Sequence, residues 1–280
     1  MFQQRKLSKE RERQLLEELM KPPKQYSIQN QNVNLEDYIV LEGKQHGSYS
    51  YPDLYVAQHR LSLTPEIETS ARTLNLQIQN TAQELTGNHY IGNINWEQAL
   101  KLNLKANNTT LTLRQAADLI YLILDGIEGK RKVYNGKGQE LNKDKLVQTY
   151  NELFEIRDPW RGEWLDADFK VHNSVLHINY EHKLDANGNL KPQRTEPLEY
   201  CLMEDKRVDI RSWIENSTFQ GFPTKKVKEG IFNYWYPRSD NNSVAWFVAG
   251  SGWAFLVCDW VPGVSIPALG VRAVKLKITV

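Results

Sequence analysis

The chain has 280 residues, of which 40% are apolar, 25% charged and 10% aromatic, a composition typical of a globular protein that can bury a sizeable core. A formal net charge of +1 offers no electrostatic basis for binding nucleic acid or an anionic membrane surface. The two cysteines, Cys201 and Cys258, are too few for a disulfide framework and lack the spacing of a metal-binding pair.

The N-terminal segment is charged and carries no apolar leader. Nowhere do 18 apolar residues follow one another, so we expect no secretory signal, no membrane-spanning helix and a protein that is cytoplasmic when made. Residues Ser8 to Met20 predict a helix with its leucines along one stripe, ended by Pro22 and Pro23. This helix is either a docked arm or a self-association element. We assign residues 1–25 to an arm and residues 26–280 to a single domain.

Helix signals dominate the first half of the chain. An apolar run from Tyr38 to Leu41 fits a strand. Thr64 and Pro65 then supply an N-cap and a first-turn proline for a helix that we expect to reach Leu85 and to end at Gly87.

Two capping boxes mark the next helix starts, since Asn95 is followed three residues later by Gln98, and Thr112 by Gln115. The second of these helices is amphipathic, and we expect Gly126 to end it. The remaining predicted elements of this half are a hairpin turn at Asn135 and Gly136 and a helix from about Lys143 to Phe154.

After Trp160 the pattern changes to a period of two. Leu165 to Val171 and Leu176 to Tyr180 predict two antiparallel strands joined by a turn at Asn173 and Ser174. We therefore predict an α+β fold with a helix-rich N-terminal half and antiparallel hairpins in the C-terminal half. The further predicted elements are a turn at Asn187 and Gly188, a short helix around Asp209 to Asn216, and a strand from Ile231 to Tyr236.

Candidate catalytic or metal-binding groups are few. Asp166 and Asp168 share one face of a strand, as metal-binding or acid–base carboxylates would, but a solvated strand face accounts for both and is the interpretation we adopt. His172, His177 and His182 recur every five residues, a spacing that alternates between the faces of a strand and does not bring them together. Nucleophile-elbow, phosphate-loop and dinucleotide motifs are lacking too, so we expect no enzyme activity, no metal and no cofactor.

The stretch after Ser243 has an unusual alternation. One face of the predicted strands holds small or regular residues, and the other holds bulky apolar residues without polar relief until Asp259. Such strands are either buried on both faces, as in the centre of a sandwich, or present an apolar surface. We favour the surface, because the next run, Trp260 to Pro267, is apolar but contains two prolines and a glycine and is therefore a loop. The core-facing residues are Ala245, Phe247, Ala249, Ala254, Leu256 and Cys258.

Five short segments carry a resemblance to a known family: Tyr234-Trp-Tyr-Pro-Arg238, Asp240-Asn-Asn-Ser243, Ala245-x-Phe247-x-Ala249-Gly-Ser251, Ala254-x-Leu256-x-Cys258 and Leu269-Gly-Val-Arg-Ala273. In these segments the chain resembles the variable proteins of diversity-generating retroelements, and most of all the archaeal viral members. The resemblance implies a C-type lectin-like fold of the formylglycine-generating-enzyme-like subtype. It also implies a constant frame interleaved with positions altered by adenine-directed mutagenesis, in a variable region at about residues 240–273.

The same resemblance implies a set of changeable, ligand-facing side chains. An asparagine codon of the AAC kind, the usual template in the family, cannot become a tryptophan codon, so the three tryptophans of the set either derive from another adenine-containing codon or are fixed. By position the set comprises Trp246, Val248, Trp253, Phe255, Val257, Asp259, Trp260, Val261, Val264 and Ile266.

The function implied is recognition of a protein or cell-surface ligand by a hypervariable surface, with no nucleic-acid partner and no membrane insertion, in a protein associated with a virus particle. Calcium-dependent sugar binding is not implied, because no Asn follows Glu196 and Pro197. Catalysis of the formylglycine-generating kind is not implied either, because Cys201 and Cys258 are not a matching pair. Two alternatives remain: a particle-assembly protein that uses the same apolar face, and a metal-dependent enzyme that uses Asp166 and Asp168.

Overall fold

The computed structural model describes residues 34–82, 89–198, 200–238 and 242–277. The predicted arm at residues 1–25, with its helix from Ser8 to Met20, lies outside the described residues. From Leu35 onward the chain clusters as one compact unit. Helices are mixed with a larger share of strands, so the α+β class is confirmed. None of the described helices combines the length and the apolar character needed to cross a membrane.

Five α-helices occur in these residues, and each begins at an Asn, Thr or Asp whose side chain accepts a hydrogen bond from a backbone N–H of the first turn. The predicted capping boxes at Asn95 and Thr112 are both complete, which confirms these two helix starts. The helices are α1 (Pro65–Thr73), α2 (Trp96–Lys105), α3 (Leu113–Ile127), α4 (Lys143–Phe154) and α5 (Ile210–Glu215).

Seventeen strands in the same residues form one large and four small sheets. They are β1 (Tyr38–Leu41), β2 (Lys44–His46), β3 (Tyr49–Tyr51), β4 (Leu54–Arg60), β5 (Gln79–Ala82), β6 (His89–Gly92), β7 (Arg161–His172), β8 (Val175–Tyr180), β9 (Lys183–Leu184), β10 (Leu190–Lys191), β11 (Arg194–Pro197), β12 (Lys206–Val208), β13 (Phe232–Trp235), β14 (Ser243–Ala249), β15 (Ala254–Trp260), β16 (Leu269–Gly270) and β17 (Arg272–Leu276).

The large sheet has the strand order β11-β8-β7-β14-β15-β13-β12, with β16 beside β7. β14 lies in its centre and pairs antiparallel with β7 on one side and with β15 on the other. A bulge between Val244 and Trp246 shifts the register on both sides. The predicted antiparallel hairpins are present as β7–β8 and β14–β15, whereas β13 pairs with β15, and β16 with β7, in parallel.

Both faces of the large sheet are covered. The first core packs one face against α3, α4 and α5 and contains all six predicted core-facing residues of β14 and β15. The second core packs the other face against α1 and α2, and there Trp246, Val248 and Val257 are 2%, 8% and 1% exposed. This burial corrects the prediction that the bulky face is an open surface. The reason is that β14 and β15 are central strands with a helical layer on each side.

Two predicted helix ends are wrong. α1 ends at Thr73, because Asn75 adopts a left-handed conformation (φ 54°) and the backbone N–H of Leu76 donates to Ala71 across the turn; β5 follows where helix was expected up to Leu85. Gly126 lies inside the last turn of α3, where a Cβ would come within 2.6 Å of Leu146. The lack of a side chain at Gly126 therefore lets α3 pack closely against Leu146 of α4.

Most other predicted elements are confirmed, although the N-terminal half contains six strands besides its four helices and is less helical than expected. The confirmed elements are the strand at Tyr38–Leu41, the hairpin at Asn135, the helix Lys143–Phe154, the turns at Asn173 and at Gly188, the short helix capped by Asp209, and the strand at Phe232–Trp235.

The last described strand closes the domain. β17 pairs with β4, which also pairs with β1, and the buried Arg272 lies at the start of β17. Its guanidinium donates to both carboxylate oxygens of Glu163, at 3.0 Å from Nε and 2.6 Å from Nη2, and also to the backbone carbonyls of Ala57 and Gln58. Because Glu163 belongs to β7 and the carbonyls to β4, this one side chain joins the small sheet to the large one.

Replacing Arg272 with leucine is expected to lower the free energy of unfolding by about 3–5 kcal/mol, because Glu163 is then buried without its partner. Arg131→Leu is the matched control: Arg131 pairs with Glu42 at the surface, and its loss should change stability by less than about 1 kcal/mol. Chemical denaturation of both variants measures the difference. A loss at Arg272 no larger than that at Arg131 would show that the buried pair does not hold the domain closed.

Candidate ligand-binding pocket

An aromatic pocket of about 580 Å³ lies on the second face of the large sheet, between side chains of β13, β14 and β15 and the flanking loops. Its volume is in the range of small-ligand sites. All eight tryptophans of the chain lie in the described residues, and five of them line this pocket. Among the described residues no charged side chain lines it. The aromatic residues are Trp160, Trp235, Trp246, Trp253, Phe255 and Trp260.

Strand register brings these side chains to one face. In the antiparallel pair, Trp246 is opposite Val257 and Val248 is opposite Phe255. In the parallel pair, Trp235 is beside Val257. Since neighbouring strands in register present paired residues to the same face, three strands contribute to one aromatic surface.

Two glycines make room for two of the rings. A Cβ at Gly162 of β7 would lie 2.5 Å from Cε3 and Cζ3 of Trp246, and a Cβ at Gly250 would lie 2.7 Å from Cβ of Trp160. The Cε3–Cζ3 edge of Trp246 therefore rests against β7. The same indole also packs against Trp164 of β7 and Trp260 of β15, at 5.7 Å and 5.2 Å between ring centroids.

The rings support one another in edge-on and tilted contacts. Trp235 and Trp253 both pack against Phe255, with centroid separations of 4.9 Å and 5.8 Å. Trp253 is nevertheless 60% exposed and Trp160 is 47% exposed, so these two rings form the rim. Trp246, Val248 and Val257 form the floor, because they are buried.

Indole hydrogen bonding distinguishes the pocket from the rest of the core. Three buried tryptophans outside it each donate their N–H to a backbone carbonyl at 2.8–2.9 Å. In contrast, the buried Nε1 atoms of Trp246 and Trp260 have no hydrogen-bond acceptor among the described residues. A buried donor without an acceptor costs about 1–3 kcal/mol of stability. A ligand that supplies an acceptor to either indole N–H group would recover part of this free energy. The three satisfied residues are Trp96, Trp164 and Trp213.

Six of the ten predicted ligand-facing residues line the pocket, and four do not. Asp259 instead forms an ion pair with Arg238 at 3.0 Å; burial raises the pKa of the Asp259 carboxyl although the guanidinium opposes the shift. Val261 is exposed outside the pocket, while Val264 and Ile266 pack against the second core. The six that line it are Trp246, Val248, Trp253, Phe255, Val257 and Trp260.

The loop from Trp260 to Pro267 departs from the predicted binding surface. Its backbone is docked at the start of α2, where the N–H of Trp96 donates to Pro262 and the N–H of Asn93 donates to Ile266. With the backbone held in this way, the side chains of Val264 and Ile266 pack against the second core. The loop therefore contributes mainly to the packing of the second core and not to the pocket lining.

Trp160 and Trp235 are the aromatic pocket residues that the sequence analysis did not identify. Trp235 alternates with Phe232 and Tyr234 of the first core, so strand periodicity already places it on the opposite face. Trp160 precedes β7 in a loop, and only the long-range approach to Gly250 brings it to the rim. Periodicity could have found the first of these residues but not the second.

The carboxylates Asp166 and Asp168 are buried, which corrects their assignment to a solvated strand face. They lie on the face covered by the second helical layer, and they hold the ring of His182 between them: Nδ1 is 2.5 Å from Asp166 and Nε2 is 3.3 Å from Asp168. Burial alone would lower the pKa of His182, but hydrogen bonds and charge from both carboxylates raise it to about 9. The ring is then an imidazolium that compensates two buried charges. Lys170 adds a contact to Asp168 at 2.8 Å.

The three histidines of the five-residue repeat do not meet. His172 and His177 pack against each other at 5.3 Å between ring centroids, and His182 is bound by the two aspartates. Within the described residues no group of three or more His, Cys, Asp or Glu side chains has an arrangement that could hold a metal ion. Within the Asp166–His182–Asp168 group the charges are paired with one another. Asp168 and His182 also line a separate cavity of about 390 Å³ together with Trp96, Glu97 and Lys170.

The raised pKa of His182 predicts a stability change at alkaline pH. Its folded pKa of about 9 lies above the ordinary value of 6.5, so its contribution is complete below pH 6.5 and is lost as pH rises through about 9. We expect the wild type to lose of the order of 3 kcal/mol over this window, and His182→Gln to be less stable at pH 6 but to have a flatter pH dependence. Urea denaturation across the window measures both curves, and parallel curves would contradict the assignment.

Comparison with known proteins leaves the chain without an assigned family. No protein-family model and no curated protein sequence matches it. Among solved structures, the crystal structure of CarF aligns with 86% of this chain and 98% of its own length, at 9% sequence identity and a TM-score of 0.35. A similarity of this size carries no inference about fold or function.

Proposed function

We propose that the chain is a non-enzymatic recognition protein that binds a protein or cell-surface ligand through the aromatic pocket. The observation that carries the proposal is the gathering of five of the eight tryptophans around a pocket that, within the described part of the chain, has no charged lining and contains two buried indole N–H groups without acceptors. Tryptophan and phenylalanine supply large contact areas with few torsions to fix, which is why they anchor binding sites. Among the described residues, no carboxylate, imidazole, thiol or amine lines the pocket to perform acid–base or nucleophilic chemistry.

We further propose that the chain is a variable protein of a diversity-generating retroelement with a C-type lectin-like fold. The division of β14 and β15 supports this proposal, because the constant frame positions all pack in the first core and the interleaved positions face the pocket side. The closing Gly270-Val-Arg272 segment supports it too. A Cβ at Gly270 would lie 2.8 Å from the carbonyl oxygen of Ile91, Val271 is buried, and Arg272 holds Glu163.

Within this proposal, the changeable positions are the less buried pocket residues of the C-terminal segment. Trp253 and Phe255 project from β15 and its preceding turn, and each is exposed or half-buried. Trp246, Val248 and Val257 belong to the second core, so we assign them to the fixed frame. This assignment resolves the codon difficulty for Trp246, which needs no variable template.

Binding and stability separate the two classes of residue. Trp253→Ala should weaken the binding of the neutral dye Nile red about tenfold while the melting temperature stays within about 2 °C, because the ring is mostly exposed. Trp246→Ala should lower the free energy of unfolding by about 3–5 kcal/mol, because it empties the floor. Tyr134→Ala, an exposed aromatic outside the pocket, should change neither quantity.

Fluorescence titration and thermal unfolding measure these effects. Unchanged dye affinity in the Trp253 variant would remove the pocket as the binding site. Light scattering provides a further check by measuring the molar mass in solution. A stable oligomer that dissociates in the Trp253→Ala variant would favour the assembly function instead.

The retroelement proposal has a genomic test. We expect a near-identical repeat of the coding stretch for Val244 to Arg272 beside a reverse transcriptase gene, with mismatches confined to adenines of the repeat. Those mismatches should fall in the codons for the less buried pocket residues, such as Trp253 and Phe255, and should be absent from the codons for Ala245 and Leu256. A genome in which no such repeat accompanies the gene would leave the recognition function intact and reject the diversification mechanism.

A further inference from the structure

We propose that the aromatic pocket takes a proline-rich peptide segment in the polyproline II conformation. This inference rests on the proposed recognition function and specifies its ligand. It depends on three properties of the described pocket residues: buried indole N–H donors without acceptors, exposed aromatic faces, and no ionised side chain in the lining.

The pocket contains buried hydrogen-bond donors, so a ligand that fits it should bring acceptor atoms. The Nε1 atoms of Trp246 and Trp260 are buried donors without acceptors, and the two rings are in contact with each other. The Trp246 ring lies between Gly162 of β7 and the Trp260 ring of β15. Both donors are enclosed, so a ligand carbonyl reaches them only if the partly exposed rim rings of Trp160 and Trp253 move aside.

Few side chains at the pocket can accept a hydrogen bond from a ligand. Asn233 and Ser251 are the lining residues with polar side chains besides the indoles, and the Asn233 amide group donates to the carbonyl of Ala254 at 3.3 Å. The neighbouring carboxylate, Asp259, lies outside the pocket and is engaged by Arg238. A ligand with many donors of its own would therefore leave most of them unpaired.

Electrostatic complementarity selects among ligand classes. Each sugar hydroxyl brings a donor as well as an acceptor, and among the described lining side chains Asn233 and Ser251 alone can accept from it, so the pocket pairs a donor-free ligand more completely than a sugar. Aromatic faces attract a cation, but among the described lining residues there is no carboxylate to neutralise its charge, and an anionic ligand finds no cation. A purely aliphatic ligand leaves both indole N–H groups unpaired. The matching ligand is neutral, rich in carbonyl oxygens and poor in donors.

Proline satisfies each of these conditions. Its tertiary amide offers a carbonyl acceptor and has no N–H, and its ring supplies apolar surface for packing on tryptophan. In the polyproline II conformation the backbone is already ordered and its carbonyls are free, so little conformational entropy is lost on docking into an aromatic groove. Half-buried and exposed rings on β13, β15 and two loops, above the buried ring of Trp246, supply such a groove in this protein.

The test is a titration of the full-length chain, labelled with ¹⁵N at the tryptophan indoles, with acetylated and amidated decaproline. We expect the Nε1–H signals of Trp246 and Trp260 to shift and to saturate, with no shift for a Gly-Ser decapeptide of the same length. Trp246→Phe and Trp260→Phe assign the two signals. Each of these variants keeps an aromatic ring but removes a donor, so each should weaken decaproline binding about tenfold.

Binding of decaproline that is unchanged in both phenylalanine variants would overturn the inference, since the donors would then play no part. Maltohexaose or Nile red shifting the two indole signals when decaproline does not would also overturn it, but would leave the recognition function standing. If none of the three probes perturbs any pocket indole, the inference and the recognition function both fail. Should Trp246→Phe fold poorly, Trp260→Phe, which alters a half-buried ring, decides the outcome alone.

Discussion

The buried ion pair between Arg272 and Glu163 is the interaction on which the closure of this domain depends. Arg272 starts the last described strand, Glu163 lies in the long strand beside the centre of the large sheet, and the same guanidinium reaches carbonyls of β4. Glu152 of α4 extends the network: burial opposes its ionisation, but the hydrogen bond from His59 and the charge of Arg272 hold the pKa of Glu152 below its ordinary value. Arg60 donates to the carbonyl of Ala268 and so ties the segment before β16 to β4. With two sheets and a helix fixed to one another in this way, the strands that carry the pocket have a rigid support.

The pocket lies at the margin of the second core. Trp246 and Val257 belong fully to that core, whereas Trp235 and Phe255 are half-buried against it and Trp253 reaches solvent. The aromatic surface is therefore graded from a fixed floor to an open rim. Such a gradient combines the two requirements of a recognition site, since the floor is held by core packing while the rim can change without loss of stability. Among the described residues, the indole N–H groups of Trp246 and Trp260 have no acceptor, and both rings contact the second core. Under the proposed function, a ligand carbonyl supplies the hydrogen bond that these groups lack.

Local signals in the sequence were sufficient for most elements and insufficient for burial. The capping boxes at Asn95 and Thr112 act within one helical turn, so the residues themselves determine those helix starts. The end of α1 was missed because Asn75 performs a role that glycine usually signals. For the site, strand alternation correctly divided β14 and β15 into two faces, but whether the second face was covered depended on α1 and α2, which are distant in sequence. The pairing of His182 with two aspartates likewise required the hairpin to bring remote positions together.

Gly162 makes the pocket floor depend on a residue that is distant in sequence. The glycine belongs to β7, outside the C-terminal segment, and the floor ring of Trp246 occupies the space that any larger residue at position 162 would need. A smaller side chain at position 246 leaves a void beside Gly162, and a larger residue at position 162, about eighty residues earlier in the chain, is one change that fills it. Mutagenesis confined to the C-terminal segment cannot make both of these changes. Under the proposed diversification, variants of this protein therefore keep the same pocket floor and differ at its more exposed positions.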